Sequence, residues 1–590
     1  MYFRSAVALL LQRGSSSAMQ ILFLVSAHNS LSQRAWIALT ELDHNVAIAV
    51  VESPSAMEAA VREHAPDLIV GPFLKTMIPE SIWARNCCLI LHPGPRGDRG
   101  PSSLDWAIEL ERPDWGVTVL QANDEFDAGE VWATNTFSMR KAAKSSLYHH
   151  EVRRAAIEAV LEAIDRLVLV GEAPLATAQT GAVAPGPCLP VMTQEVRAIA
   201  WESDRTERVL RKIRAADGHP GVLDTINGEH FHLFGGHPEA MLRGRPGELL
   251  AQRNGAICRA TVDGAVWITH LKRQASVSER HFKLPAAHAL ARAGIKLDVP
   301  EIAIAVDAQV PEHDTYREIA YHEHAGVGYL RFPFYNGAMG TSQCVRLREA
   351  YTFARAQQHT KAIVLLGGDD YFSNGIHLNE IEAAEDPAAE SWRNLQAIDD
   401  LVRDIVETDS HLVISAMAGD AAAGGVPLAL AADYVLARED IVLNPYYRHM
   451  GGLYGSEYWT YLLPRRVGPE QAARLTGPRF RAVGTREAVR IGLLDAAFGI
   501  DLEDFRERTT HFAERVAHDG LHRARLQDKR RRRAHDEHVK PLATYRHEEL
   551  SRCWQCFFGT DSGYHDARRR FVYKLPAPAA VDEKPSRLAI

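Results

Sequence analysis

A chain of 590 residues is too long for one hydrophobic core, and at roughly 100–200 residues per domain it accommodates three or four. Its 46% hydrophobic and 24% charged residues exclude wholesale disorder, and its net charge of −8 argues against a nucleic-acid coat, which needs a basic surface. Seven cysteines, sparse and odd in number, speak for free thiols in a reducing compartment rather than a secreted disulfide framework. No apolar run approaches the 18 or so residues of a membrane span, so the expected location is the cytoplasm, with neither membrane nor nucleic acid as partner.

Residues 1–18 read as a disordered extension, with Met19 as an alternative start: Ala6–Leu11 is too short for a signal core, and Arg13 interrupts it. From Gln20 the pattern is α/β. Apolar runs at Ile21–Val25, Val46–Val51, Leu68–Val70 and Cys88–Leu91 alternate with helical segments, which predicts a doubly wound parallel sheet. Such sheets bind ligands beyond the carboxyl ends of their strands, here the loops after Val70 and Leu91. The second loop, His92–Pro101, holds three glycines and three prolines behind a strand-end histidine. A further strand, Gly116–Val119, leads to the turn Phe126-Asp127-Ala128-Gly129. A paired His and Asp suit acid–base work on an acyl group.

The segment Leu89–Val131 resembles the catalytic core of the folate-dependent formyltransferases in His92, Gly116-Val117-Thr118 and Asp127-Ala128-Gly129. The resemblance implies a folate-binding domain over 19–190, with His92 and Asp127 catalytic. Phe73, Leu74, Ile90, Gly116 and Val117 would line the pterin pocket. The family's catalytic asparagine falls on Ile90, which offers no hydrogen bond, so a thiol becomes a more plausible acceptor than an amine. After the Gly/Ala/Pro-rich stretch Gly171–Pro190, a helix at Asp204–Ala216 and short strands resemble the OB-like C-terminal domain of the same enzymes, assigned to 191–275. Its 12 Lys/Arg against 10 Asp/Glu over Val191–Arg273 disfavour a tRNA acceptor. Residues 276–318 read as a linker.

Farther on, Phe372-Ser373-Asn374-Gly375-Ile376-His377 and Ala422-Ala423-Gly424-Gly425, the second before an apolar helix, resemble the enoyl-CoA hydratase/isomerase (crotonase) superfamily, placed at 319–525. The resemblance implies an oxyanion hole from the backbone N–H groups of Ile376 and Gly424, with Phe372, Ser373, Gly375, His377 and Gly425 at the CoA. The two hydratase glutamates fall on Pro427 and Tyr446, so ordinary hydration is not expected. Acid–base candidates are Tyr446, Tyr447 and Glu457, the last read as opening a helix Glu457–Leu463.

Residues 526–590 read as a basic helical tail. Its run Lys529–Arg533 is either a solvated helical face or a partner for CoA phosphates, and Cys553-Trp554-Gln555-Cys556 lacks the second pair a zinc site needs. No metal is expected. The whole is α/β multidomain: a doubly wound sheet, an OB-like β domain, and a crotonase-like α/β domain with a helical tail. The combination resembles the HypX/HoxX family of hydrogenase maturation proteins. That likeness implies formyl transfer from 10-formyltetrahydrofolate to CoA and decarbonylation of formyl-CoA to CO, with the [NiFe]-hydrogenase maturation machinery as partner. Two alternatives stay open: an enzyme that ends in formate, and a non-catalytic one-carbon and CoA scaffold.

Overall fold

The computed structural model describes residues 18–27, 29–167, 189–275, 279–311, 313–477, 482–560 and 563–575. The expected N-terminal extension, but for Ala18, and most of the Gly171–Pro190 stretch lie outside the described residues.

Six strands build the first sheet: β1 (Gln20–Val25), β2 (Asn45–Val50), β3 (Leu68–Phe73), β4 (Cys88–His92), β5 (Asp114–Gln121) and β6 (Val131–Ser138), in the order β2-β1-β3-β4-β5-β6. Alternate residues of β1 enter opposite cores, Ile21, Phe23 and Val25 on one face, Leu22 and Leu24 on the other, which is why the run is apolar throughout. The sheet is not wholly parallel. β5 is antiparallel to both β4 and β6. Buried on both faces, it shows the same continuous apolar signature as a parallel strand, so its direction cannot be read from periodicity. The loop 122–130, closed by a bond from Gln121 N–H to the Glu130 carbonyl (2.9 Å), folds back over β4 and carries Asp127 to His92.

The second sheet is antiparallel: β7 (Val222–Ile226), β8 (Glu229–Glu239), β9 (Leu249–Arg253), β10 (Ala256–Ala260) and β11 (Ala265–Arg273), ordered β7-β8-β11-β10-β9. The stretch expected as linker differs from that reading. It supplies β12 (Leu284–Pro285), paired with β11, and the helix Ala286–Arg292, whose Ala286, Ala289 and Leu290 join the same core as Phe231 and Ile257.

Downstream stands a sheet of β13 (Ala320–His324), β14 (Val327–Arg331), β15 (Ala362–Leu366), β17 (Leu412–Met417), β19 (Tyr434–Ala437) and β22 (Ala496–Ala497). Beside it lies a smaller sheet of β16 (Tyr371–Ser373), β18 (Asp420–Ala422), β20 (Val442–Asn444) and β21 (Val483–Gly484). The helix His522–Val539 is more than a tail: Lys529 is buried and donates to Asp433 (2.6 Å) and to the His411 carbonyl (2.9 Å). Arg531 and Arg532 face solvent.

The two halves meet through charged side chains. From the segment Lys144–Asp165, Ser146 and His150 contact Asp370 (2.7 and 3.0 Å), and Arg153 donates to both oxygens of Asp420 (2.8 and 3.0 Å). Arg34 pairs with Asp440. A cleft of about 1050 Å³ opens between the halves on this side. Removing one partner of a buried ion pair strands the other, at a cost of about 3–5 kcal/mol. Arg153→Met is therefore expected to lower unfolding free energy by that amount in guanidinium titration. A loss no larger than the roughly 0–1 kcal/mol of an exposed pair would contradict the assignment.

Candidate active sites

In the first half His92 is 3% exposed at the end of β4, and both ring nitrogens meet carboxylates. Nε2 lies 2.8 Å from Asp98 Oδ2 and Nδ1 lies 3.3 Å from Asp127 Oδ1. Asp127 sits in the left-handed region (φ 52°) and accepts from Gly100 N–H at 3.4 Å. Burial alone lowers the pKa of His92, but the hydrogen bonds and charges of Asp127 and Asp98 outweigh it and raise it to about 9. Asp127 is held low: burial raises it, and the His92 bond and charge overcome that.

A narrow cavity of about 60 Å³ adjoins this pair, with Leu74, Ile90, Leu120, Asp127 and Gly129 in its wall. Of the expected pterin residues, Leu74 and Ile90 line it. Gly116 and Val117 do not: Gly116 packs on Asn135 and Pro95, and Val117 is in the core, because they lie midway along β5 rather than at its end. Phe73, at the end of β3, is not in the wall, and the Lys75 ammonium lies 5.5 Å from its ring. Asp98 is absent from the residues expected from sequence, because an acidic side chain inside a glycine- and proline-rich loop carries no motif signal of its own.

In the second half the two glycine turns converge. Gly375 has φ 74°, and a Cβ there would stand 3.0 Å from Gly424 N, so both the backbone conformation and the close approach require glycine. A Cβ on Gly424 would overlap the Glu457 carboxyl. Glu457 thus faces the expected oxyanion hole directly, at 1% exposure. The Tyr447 hydroxyl donates to its Oε2 at 2.9 Å. Burial first, and then the charge of Asp399, push Glu457 up to about 8.

Glu457 does not open a helix; the helix is Trp459–Leu475. Glu457 and Tyr458 are both left-handed (φ 61° and 58°), and their N–H groups are captured by buried carboxylates instead of helical carbonyls. Asp399, from the helix Pro387–Val406, accepts from Glu457 N–H and Ser456 Oγ, both at 2.7 Å. Glu549, from the helix Leu542–Phe558, accepts from the N–H groups of Tyr458 (2.9 Å) and Thr460 (2.8 Å). Burial lifts Asp399 to about 6 and Glu549 to about 8. Neither residue carries a sequence signal, since each acts across tens of residues.

The structure separates Tyr446 from this group: its ring stands 4.5 Å from His449 and it packs at the core margin. Pro427 lies inside the helix Gly425–Leu430. Phe372 is a core residue, Ser373 accepts from Gly375 N–H, and His377 caps the helix Leu378–Ala383 through Nδ1, burial lowering its pKa to about 4. These three are enclosed supports of the turn rather than an open ligand wall. Gly425 packs tightly on the Ser373 carbonyl. Cys553 donates to the Gly455 carbonyl at 3.2 Å, bracing the loop before Glu457.

Comparison with known proteins assigns residues 191–280 to the formyl transferase C-terminal domain and residues 329–558 to the enoyl-CoA hydratase/isomerase family. The hydrogenase maturation factor HoxX of Bradyrhizobium diazoefficiens is 46% identical over 564 residues, covering 95% of each chain. The crystal structure of HypX from Aquifex aeolicus in complex with tetrahydrofolic acid superposes with a TM-score of 0.88 at 43% identity, covering 95% of this chain and 97% of that one. A methionyl-tRNA formyltransferase of Anaeromyxobacter dehalogenans is 28% identical over 225 residues, 35% of this chain and 67% of that one.

A buried carboxyl with a raised pKa destabilises the fold progressively as pH rises. The folded state keeps the Glu457 proton up to about 8, whereas the unfolded chain releases it near 4.5. Glu457→Gln removes that term. Its Tm advantage over the parent is expected to widen from pH 5 to pH 8 in paired thermal melts; a constant difference would refute the placement of Glu457.

Proposed function

The chain belongs to the HypX/HoxX family of hydrogenase maturation factors, with formyltransferase-like and enoyl-CoA hydratase-like domains in one polypeptide, and we propose that it moves formyl from 10-formyltetrahydrofolate to CoA and splits formyl-CoA into CO and CoA. The observation that carries the second step is the Tyr447–Glu457 pair set against Gly424. It sets a protonated carboxyl against the Gly424 turn, beside N–H groups able to hold a formyl oxygen.

In the first step the folate lies along Leu74 and Ile90, and the formyl carbon stands at His92 and Asp127. Support for CoA comes from a group of five lysines, Lys283, Lys272, Lys574, Lys144 and Lys75, near enough to act on Lys283 or on His219. Burial lowers Lys283 to about 8, with the repulsion of Lys272, Lys574 and Lys144 outweighing the opposing pull of Asp217. Lys75, next to the pterin-side Leu74, and Lys144 act on nearby His219 together with Lys272 and Lys283. The Lys283 carbonyl accepts from Asn379, three residues past Ile376. Such a cluster suits phosphates.

In the second step Ile376 and Gly424 hold the formyl oxygen. Glu457 protonates the departing sulfur, and the carboxylate so formed collects the formyl proton while the Tyr447 hydroxyl donates to it. Atoms balance: HCO–SCoA gives CO and HS–CoA.

Headspace analysis of the purified protein with 10-formyltetrahydrofolate and CoA tests the reading. CO is expected from the parent, and none from Asp127→Ala. Glu457→Gln is expected to lose 100-fold or more in CO release, in line with the 10²–10⁴ typical of acid–base groups, while formyl-CoA accumulates. Formate in place of CO would overturn the decarbonylation. Lys283→Ala is expected to raise the KM for CoA several-fold with kcat unchanged.

A further inference from the structure

The basic run Lys529–Arg533 has no part in either site above. The helix His522–Val539 carries it to a cavity of about 380 Å³ that opens beside the end of the helix Gly425–Leu430. Five cations stand in the wall, Arg465, Arg466, Lys529, Arg532 and Arg533, against the one carboxylate of Asp433 among the described residues. That carboxylate is already engaged. Its Oδ2 takes the Lys529 ammonium (2.6 Å) and the Val413 N–H (2.8 Å).

Each cation is fixed by a contact of its own. Arg466 donates to Asp495 at 2.8 Å. Arg533 donates to the Tyr461 hydroxyl (2.8 Å), which donates in turn to Asp536 (2.7 Å), and Asp536 lies 3.1 Å from Arg465. The guanidinium groups of Arg533 and Arg465 stand 5.4 and 5.5 Å from the Tyr461 ring centre, so one buried phenol sets the position of both. Burial lowers the pKa of Lys529 against the pull of Asp433, and Arg532 is near enough to lower it further. Arg532 itself, 59% exposed, approaches Asp528 no closer than 3.8 Å. Asp495, Asp528, Asp536 and Glu537 are not in the wall. Cations crowded round a volume of this size suit an anion small enough to enter it.

We propose that this cavity binds a small phosphate-bearing molecule, a pyrophosphate or a compact polyphosphate ester, through Arg465, Arg466, Arg532 and Arg533, with buried Lys529 adding charge. None of the lysines around Lys283 is in its wall. Val406, which is, closes the helix Pro387–Val406. It lies about 18 Å of helix beyond Asn394, whose side chain accepts from the His377 N–H next to Ile376. The cavity is thus set apart from the second site, and the phosphate belongs either to a ligand of its own or to the far end of CoA.

Isothermal titration of the full-length protein with inorganic pyrophosphate, at low ionic strength because salt screens such contacts, tests the site. Saturable binding is expected in the parent. Arg465→Gln/Arg532→Gln is expected to weaken it by about tenfold or more, with a thermal melt like the parent's, since exposed ion pairs contribute little to stability. Arg532→Gln alone gives up only the 3.8 Å approach to Asp528 and is expected to weaken binding severalfold. Arg393→Gln/Arg490→Gln, which removes two exposed arginines from other helices, is expected to leave the affinity unchanged. A titration of CoA-saturated protein separates the two sources of phosphate. Undiminished pyrophosphate binding there marks a ligand distinct from CoA, whereas displacement by CoA, with CoA affinity lowered in Arg465→Gln/Arg532→Gln, marks the CoA phosphates. Absence of saturable binding, an affinity unmoved in Arg465→Gln/Arg532→Gln, or an equal loss in Arg393→Gln/Arg490→Gln would overturn the site.

Discussion

The grip of the N-terminal half on Asp370 and Asp420 is the interaction on which the arrangement of this molecule depends. Asp370 immediately precedes β16 and Asp420 opens β18; the two strands pair in parallel, with Tyr371 opposite Asp420. Their far ends run into the Gly375-Ile376 and Ala423-Gly424 turns. Ser146, His150 and Arg153 therefore hold the roots of the two strands whose tips lead into the proposed oxyanion hole, and His149 packs edge-on against Tyr371 at 4.6 Å. The same segment begins at Lys144, whose ammonium donates to Asp105 (2.9 Å) in the helix that follows the His92 loop. Buried polar contacts of this kind have few alternative geometries. The relative placement of the two halves and the shape of the second site are one constraint.

A second constraint comes from the far end of the chain. Two consecutive non-glycine residues in the left-handed region, Glu457 and Tyr458, cost of order 1–3 kcal/mol each. They persist because Asp399 takes the Glu457 N–H and Glu549 takes the Tyr458 N–H. The helix Leu542–Phe558, remote in sequence from the glycine turns, is thus part of the wall that aims Glu457. The carboxyls also act on one another: the charge of Asp399 raises Glu457 and Glu549 beyond what burial does. Geometry and protonation at Glu457 have the same source.

What could be read from the chain alone follows from this division. His92, Asp127, Gly375-Ile376 and Gly424 stand in short contiguous strings, where a tight turn or close backbone approach dictates glycine and the reacting group is its neighbour. Asp98, Asp399 and Glu549 have no such string. Each is an ordinary acidic residue until folding brings it to a ring nitrogen or a strained N–H. The left-handed turn at Glu457 reads as a helix start in sequence for a related reason: a carboxylate before an apolar run is the usual helix-opening pattern. Only the capture of its N–H by Asp399 sets it apart. Likewise the direction of β5 and the pairing of β12 depend on partners, not on period.

The two sites differ electrostatically in the sense their proposed steps require. At His92 a cation lies between two carboxylates, a setting that moves protons while a C–N bond is exchanged for a C–S bond. At Glu457 the surroundings are apolar and acidic groups crowd together, so the carboxyl stays neutral and an oxygen held by N–H groups meets little competing charge. A neutral acid beside a departing sulfur favours cleavage, whereas a carboxylate there would repel the thiolate. Lys283 stands close enough to Lys272, Lys574 and Lys144 for their repulsion to lower its pKa, a local concentration of positive charge in an otherwise acidic chain. Net charge thus excludes a long polyanion without excluding a short one, because a few converging lysines create a local field that the chain total of −8 conceals.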